Sequence, residues 1–404
     1  MKRRKFLQQA AGLAALGAGM RAQTGPAGVT AARGLKAAII GHTDRGDYGH
    51  NLDVIFNDRP GIEIVALADP NEAGRLKARD RSRPRRTYAD YREMLEKEHP
   101  QLVAVAPRWT DQHHAMVLAA LRSGAHVYCE KPFTPTLAEA DELLAVADQA
   151  GLKIAVAHQS RVAPSVLFLK KRLAEGLIGR LLEIRMHGKQ DQRAGGEDLV
   201  VLGTHQLDLA RFFAGDPLWC TARILHQGRE ATRADVRQVP DHVGPVMGDE
   251  IEAMLAFSHG VNGYFTSRAG NQESAGPYGM ELVGTAGIVR MLNSFLPRLM
   301  QRHRAPMIGA RQTDEWRPLE GDPTTDAPDS ERTAPAGNRR AVDDWLAAIA
   351  ENREPQCGGR AALKALEMIH AVFAAGLSRA RVDLPLKNRQ HPLGPGPGAP
   401  ATRS

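Results

Sequence analysis

The chain has 404 residues, 43% hydrophobic and 25% charged, with a formal net charge of +7. That length allows two or three domains with ample core, and the composition excludes wholesale disorder and fibrous repeats. No apolar run approaches the roughly 20 residues needed to cross a bilayer.

A basic balance invites a nucleic-acid partner, so the location of the charge matters. Residues 1–34 hold Lys2, Arg3, Arg4, Lys5, Arg21 and Arg33 and no acid, which is six of the net seven charges. The remainder is near neutral, and nucleic-acid binding is not expected. The basic start, then Phe6-Leu7 and a weakly apolar stretch from Ala10 to Met20, reads as an export signal. The adjacent arginines point to the twin-arginine route. The apolar stretch is too short to span a membrane, so the mature protein is expected to be exported or periplasmic, with no span. Cleavage is expected near Ala22 or Gln23. This route carries folded proteins and suits one that binds a cofactor before export. Cys129, Cys220 and Cys357 are odd in number and lack metal or C-x-x-C spacing, which argues against a disulfide framework.

After a linker at residues 24–34, strand and helix signals alternate. Apolar runs Lys36–Ile40, Ile62–Ala68, Leu102–Ala106, His126–Cys129 and Lys153–Ala157 read as strands. Gln112–Arg122 and Leu137–Ala150 read as helices between them. This predicts a doubly wound parallel sheet of the Rossmann type. From about residue 160 the pattern changes. Leu181–Met186, Thr221–Leu225, Ile251–Phe257, Val261–Thr266, Met280–Val283 and Ile288–Met291 read as strands, several joined by tight glycine turns. An α+β domain with a large, mostly antiparallel open sheet is expected. Residues 305–337 read as a long loop. The predicted division is 1–34 signal and linker, 35–158 Rossmann domain, 159–387 α+β substrate and oligomerisation domain, and 388–404 disordered tail.

The first strand runs into Gly41-His42-Thr43-Asp44-Arg45-Gly46. The dinucleotide fingerprint is G-x-G-x-x-G, opening a helix. Gly41 and Gly46 take its first and third glycine positions, and Thr43 takes the second. Gly41, Thr43, Asp44, Arg45 and Gly46 are therefore candidate cofactor ligands. Asp69 ends the second strand, 28 residues after Gly41, where a carboxylate can bind the adenosine ribose. It would repel a 2′-phosphate, which favours NAD over NADP. A basic run downstream, Arg75 to Arg86, leaves NADP open.

Strand His126–Cys129 ends in Glu130-Lys131-Pro132. Ligands of open α/β sheets sit beyond the carboxyl ends of the strands. Lys131 would then stand beside the nicotinamide and polarise an oxygen as hydride moves.

At this point the sequence resembles the glucose–fructose oxidoreductase / inositol dehydrogenase / MocA (Gfo/Idh/MocA) family. The resemblance rests on the glycine loop, Asp69, His113, Gly124-Ala125-His126-Val127-Tyr128-Cys129-Glu130-Lys131-Pro132 and Gly203-Thr204-His205-Gln206-Leu207-Asp208. Gly284-Thr285-Ala286-Gly287 and Val382-Asp383-Leu384-Pro385-Leu386 extend it over residues 35–386. It implies an NAD(P)-dependent oxidoreductase acting on a sugar, inositol or related polyol, and an open sheet that forms homo-oligomers. It also implies that Lys131 and His205 are catalytic, with His205 as general acid/base. Glu130 would shape the nicotinamide pocket, and Pro107, Trp109 and His113 would line the cofactor cleft.

One position departs from the family pattern. Many members carry an Asp one helical turn before the histidine, and here that residue is Val201. Either the acid has moved, or Lys131 and His205 suffice, or dehydrogenase chemistry is lost. Asp198, seven residues before His205, would share its helix face at α-helical pitch and is the candidate replacement. Glu197 lies next to it, and Asp208 is about one turn beyond His205. Asp198 could instead simply favour the helix start. No metal site is expected, because His113 and His114 are adjacent and face apart on a helix. Two further readings stand beside the dehydrogenase. One is a redox-neutral NAD-dependent glycosidase or lyase, which would suit an exported protein without a nicotinamide pool. The other is a non-catalytic sugar-binding protein on the same fold.

Overall fold

The computed structural model describes residues 34–270, 278–303 and 315–394. The expected export signal, most of its linker and the first part of the expected loop at 305–337 lie outside these residues.

The described residues build two large sheets, one after the other in sequence, and a small two-stranded one (Val236–Arg237 with Val246–Met247). The first is parallel, with strands β1 (Leu35–Ile40), β2 (Ile62–Ala68), β3 (Arg86–Tyr88), β4 (Leu102–Val105), β5 (His126–Cys129) and β6 (Ile154–Val156). Their order is β3-β2-β1-β4-β5-β6. The last four residues of β1 and all of β4 are buried, as expected for strands covered on both faces. Helices α1 (Glu72–Ser82), α2 (Tyr91–Glu98), α3 (His113–Arg122) and α4 (Leu137–Ala150) provide that cover. Their ends follow local chemistry. Asn71 caps α1 by accepting from the Gly74 amide, and Thr136 with Glu139 forms a capping box on α4. Gly151 then ends α4 in the left-handed region, where glycine carries no Cβ penalty. Sequence order reverses between β1 and β4, which opens a crevice at their carboxyl ends.

After α5 (Pro164–Ala174) the second sheet begins with β7 (Leu181–His187) and β8 (Pro217–His226). It has ten strands among the described residues. Its pairings are antiparallel except between β7 and Asn262–Arg268. The expected architecture, a doubly wound domain followed by a large antiparallel open sheet, is what the structure shows.

Three differences matter for the site. First, the strand Arg86–Tyr88 is too short to leave a pattern in sequence. Second, the late helices return to the first domain. Ala341, Val342 and Trp345 from helix Ala334–Ala350 share a core with β1 and β4, and Leu363 and Leu366 join the opposite layer. Third, helix Gly359–Ser378 is long and apolar enough to cross a membrane, which corrects the expectation from hydropathy. Most of its residues are buried between α4, β8 and helix Thr204–Ala214, so its apolarity is that of a core helix. The segment expected as a tail is anchored at its start: Arg389 pairs with Asp141 and Glu367. Residues 395–404 lie outside the described residues.

Candidate active site

The glycine loop departs from expectation. No helix follows β1; the chain makes successive turns and one short 3₁₀ turn at Leu52–Val54. Asp44, Asp47 and Asn51 all take positive φ, which closes turns and prevents a helical start. Gly41 leaves no room for a Cβ beside the Tyr48 ring, and two further glycines are required. A Cβ at Gly46 would lie 2.4 Å from the Arg108 amide nitrogen, and one at Gly49 would lie 2.7 Å from the Ala106 carbonyl oxygen. Gly46-x-x-Gly49 therefore forms the second half of the fingerprint, and Asp44, at φ 70°, stands where its first glycine is expected. The frame read from sequence is three residues early.

Thr43 and Asp69 bind each other. Asp69 is fully buried. Its carboxylate accepts from the Thr43 hydroxyl at 2.7 Å, the Tyr48 hydroxyl at 2.8 Å and the Asn71 amide at 2.9 Å. This corrects the ribose role expected of Asp69, whose carboxylate is enclosed; Thr43 stays partly exposed, and the pair ties the loop to the end of β2. Beside them, at the reversal point, lies a groove of about 240 Å³. Gly41, Ala68 and Ala89 make it narrow, and Tyr91, Asp90 and Arg92 edge it. Small residues, an aromatic ring and a carboxylate suit a flat nucleoside, so the groove fits the adenosine half of NAD.

Beyond β5 the reacting end is assembled. Lys131 is only 5% exposed, and its Nζ donates to the Val201 carbonyl oxygen at 2.8 Å. Burial lowers its pKa against the opposing pull of Glu130. Glu130 is fully buried and accepts from the His50 ring at 3.0 Å, the His50 amide and the Lys131 amide. Burial opposes its charge, but His50 and Lys131 hold it at about 2. His205 is half-buried, and its ring meets that of His158 edge-on at 5.4 Å. His158 bonds the Thr204 hydroxyl at 3.1 Å. Burial first, then Lys131, His158 and His50, push His205 well below the ordinary histidine range. The His205 Nδ1 is buried without a hydrogen-bond partner. A buried amine and a neutral imidazole with an unpaired nitrogen, in a chain that also carries a nucleotide-sized groove, suit proton-coupled hydride transfer.

Comparison with known proteins agrees with this geometry. Residues 35–158 match the family model for an oxidoreductase with an NAD-binding Rossmann fold, and residues 170–384 match its C-terminal alpha/beta domain. The chain belongs to the Gfo/Idh/MocA oxidoreductase family. It is 25% identical over 375 residues to D-apiose dehydrogenase of Paraburkholderia graminis, covering 88% of this chain and 91% of that one. It is 27% identical over 228 residues to levoglucosan dehydrogenase of Pseudarthrobacter phenanthrenivorans, covering 50% and 58%. A levoglucosan dehydrogenase structure in complex with NADH and levoglucosan shares the fold, with TM-score 0.69, 20% identity and coverage of 87% and 100%.

As a Gfo/Idh/MocA oxidoreductase, the protein carries an NAD-binding Rossmann domain. The basic run after Asp69 is occupied: Arg75 donates to the Asp69 carbonyl, Arg81 pairs with Asp53, Arg83 with Asp58, Arg85 with Glu63 and Arg86 with Glu98. Arg45 lies over the Trp109 ring at 5.7 Å and pairs with Asp111 at the cleft rim. Trp109 itself stacks on His242 of the second domain.

Two expected site residues have other tasks in this family member. His113 is fully buried, and its ring nitrogens lie against the carbonyls of Pro107, Pro132 and Phe133 at 2.7 to 3.0 Å. It braces the turn carrying Lys131 and does not line the cleft. Asp198 is fully buried and accepts from the Ser267 hydroxyl at 2.6 Å and the Lys189 and Gln190 amides. Burial raises its pKa against those bonds. The face-sharing argument assumed α-helical pitch, but Leu199–Gly203 is a π turn. A π turn advances less per residue, so Asp198 and His205 no longer face together. The relocated acid is not Asp198.

Sequence reasoning missed His50 and Asn338. Asn338, from helix Ala334–Ala350, bonds the His50 carbonyl, Gln159 and Tyr128. No local motif marks it, because its partners lie far away in sequence. Among the described residues, no group of three or more His, Cys, Asp or Glu side chains is arranged to hold a metal. The three cysteines are free and buried.

Proposed function

We propose that this protein is an exported NAD-dependent dehydrogenase of a neutral sugar or polyol. The observation that carries this reading is the buried Lys131 ammonium held beside His205 at the carboxyl end of β5. Bound NAD would supply the acceptor or donor of hydride. The groove edged by Tyr91 and Asp90 would hold its adenosine, and Glu130 would brace the nicotinamide end.

In the oxidative direction the alcohol oxygen lies between Lys131 and His205. His205, kept neutral by its surroundings, accepts the hydroxyl proton, and Lys131 stabilises the negative charge growing on oxygen. The C–O bond becomes C=O as hydride leaves carbon. In the reductive direction the same groups return the proton. The cations near the site, Lys189 and Arg193, already pair with Asp191, and Arg193 also lies near Asp241. This balance favours a neutral substrate, in keeping with the sugar-named relatives.

Export is supported by the twin arginines and by features that would retain a cofactor, above all the Trp109–His242 stack joining the two domains. A periplasmic enzyme without a nicotinamide pool needs its cofactor held and returned to its starting state. Homo-oligomer formation through the open sheet completes the reading. The test is to purify the folded protein from the periplasm and screen sugars for absorbance change of the retained nicotinamide. Absence of any change across sugars and polyols, with NAD bound, overturns it.

A further inference from the structure

The missing acid at position 201 leaves Lys131 with an unusual partner. In a regular helix each carbonyl accepts from the fourth amide onward; a π turn widens that ladder and turns carbonyls outward. Two consecutive carbonyls of this turn are taken by side chains from elsewhere. Val201 O accepts from Lys131 Nζ at 2.8 Å, and Leu202 O accepts from the Tyr278 hydroxyl at 3.1 Å. Gly203, the last residue of the turn, packs on the Phe265 ring, where a Cβ would lie at 3.0 Å. The turn is thus held from several sides, with its Val201 oxygen against the lysine.

We propose that the Val201 backbone carbonyl, presented by the π turn, is the positioning group that aims Lys131 at the reacting oxygen in place of a side-chain acid. The proposal rests on the dehydrogenase reading and adds what replaces the missing acid. A carbonyl orients an ammonium as a carboxylate does, but it carries no formal charge and takes no proton. The amine therefore holds its proton less tightly than it would beside a carboxylate. Charged and titratable neighbours are Glu130 on its own strand end, Arg108 from the β4 turn, Arg193 and Asp241 from the second domain, and the imidazoles of His205 and His158. Of these, only Glu130 and Asp241 favour the charged amine. With no acid in the lysine's hydrogen bond, proton exchange with the reacting oxygen falls to Lys131 and His205 alone.

Two variants of the protein carrying its own cofactor test this. Val201→Asp introduces a carboxylate on the residue whose carbonyl holds the lysine. It should raise the Lys131 titration, followed by carbon-13 NMR of the side chain, by about 1–3 pH units. The pH profile of kcat should move the same way. Lys131→Met identifies the resonance. Replacing Leu202 with its α-hydroxy analogue turns the 201–202 amide into an ester, which weakens the Val201 carbonyl as acceptor and also removes the Leu202 N–H donor. It should lower kcat roughly tenfold with little change in KM. An unmoved lysine titration in folded Val201→Asp, or unchanged kcat in the ester protein, overturns the proposal. If Val201→Asp does not fold, the ester protein decides alone. Undiminished turnover in Lys131→Met would instead overturn the dehydrogenase reading, and the NMR titration would still report on the carbonyl contact.

Discussion

Trp109 and His242 stack across the domain boundary, with ring centroids 3.6 Å apart and planes 27° from parallel. One follows β4 of the nucleotide domain, and the other sits on a loop of the second domain. The contact is reinforced by the Thr110 amide and hydroxyl, which both donate to the His242 carbonyl at 3.3 Å. The two domains are thus joined over the crevice. Trp109→Ala removes the stack. NAD should leave the protein roughly tenfold faster, read by dialysis or stopped-flow displacement. An unchanged release rate would show that the stack does not retain the cofactor.

Lys131→Met and His205→Asn should each lower kcat roughly a hundredfold or more while the protein still binds NAD. Steady-state kinetics on the substrate found in the sugar screen, with NAD titration by fluorescence, checks both halves. Near-normal kcat in His205→Asn would remove it from the proton path.

Asp198→Asn should cost about 1–3 kcal/mol of stability, because its new NH₂ group faces the Ser267 hydroxyl and two backbone amides that need an acceptor. The pH profile of turnover should stay in place. A shifted profile would return Asp198 to the chemistry.

Gly49→Ala should destabilise more than Gly61→Ala. Both positions have positive φ, costing about 1–3 kcal/mol for a residue with a side chain. At Gly61 a Cβ meets open space, whereas at Gly49 it meets the Ala106 carbonyl oxygen at 2.7 Å. Thermal melts of the pair measure the difference. Equal losses would mean that the close approach of loop and β4 is unimportant.

Acid should unfold the protein early. Burial holds His158, His205 and His370 below the ordinary histidine value of 6.5, and His391 down to about 4. Below pH 6.5 the unfolded chain binds protons that the folded chain refuses, so stability is full above that pH and falls as pH drops towards the folded values. His391 alone accounts for roughly 3 kcal/mol of that loss. Denaturant melts between neutral pH and pH 4 test the slope, and His391→Leu should flatten it.

The two large sheets are legible from residue order alone. Strands buried on both faces are continuously apolar, as in Leu102–Val105, and strands with one open face alternate, as in Glu250–Phe257. Helix α4 was legible to its last residue because its capping box and terminal glycine act locally. The Glu130-Lys131-Pro132 segment and His205 were legible as candidates because they form short motifs. Tertiary structure decided the rest. Asp69, His113 and Asp198 are polar residues at plausible positions, but burial among Thr43, Tyr48, Ser267 and backbone groups gives each a bracing task. The glycine frame moved because close approach to Arg108 and Ala106, strands away, selects which glycines are required. Asn338 joined the site from the far end of the chain. The π turn at Leu199–Gly203 changed which residues face His205 and offered a carbonyl to Lys131. Those outcomes depend on contacts between distant segments, and no local pattern of residue types encodes them.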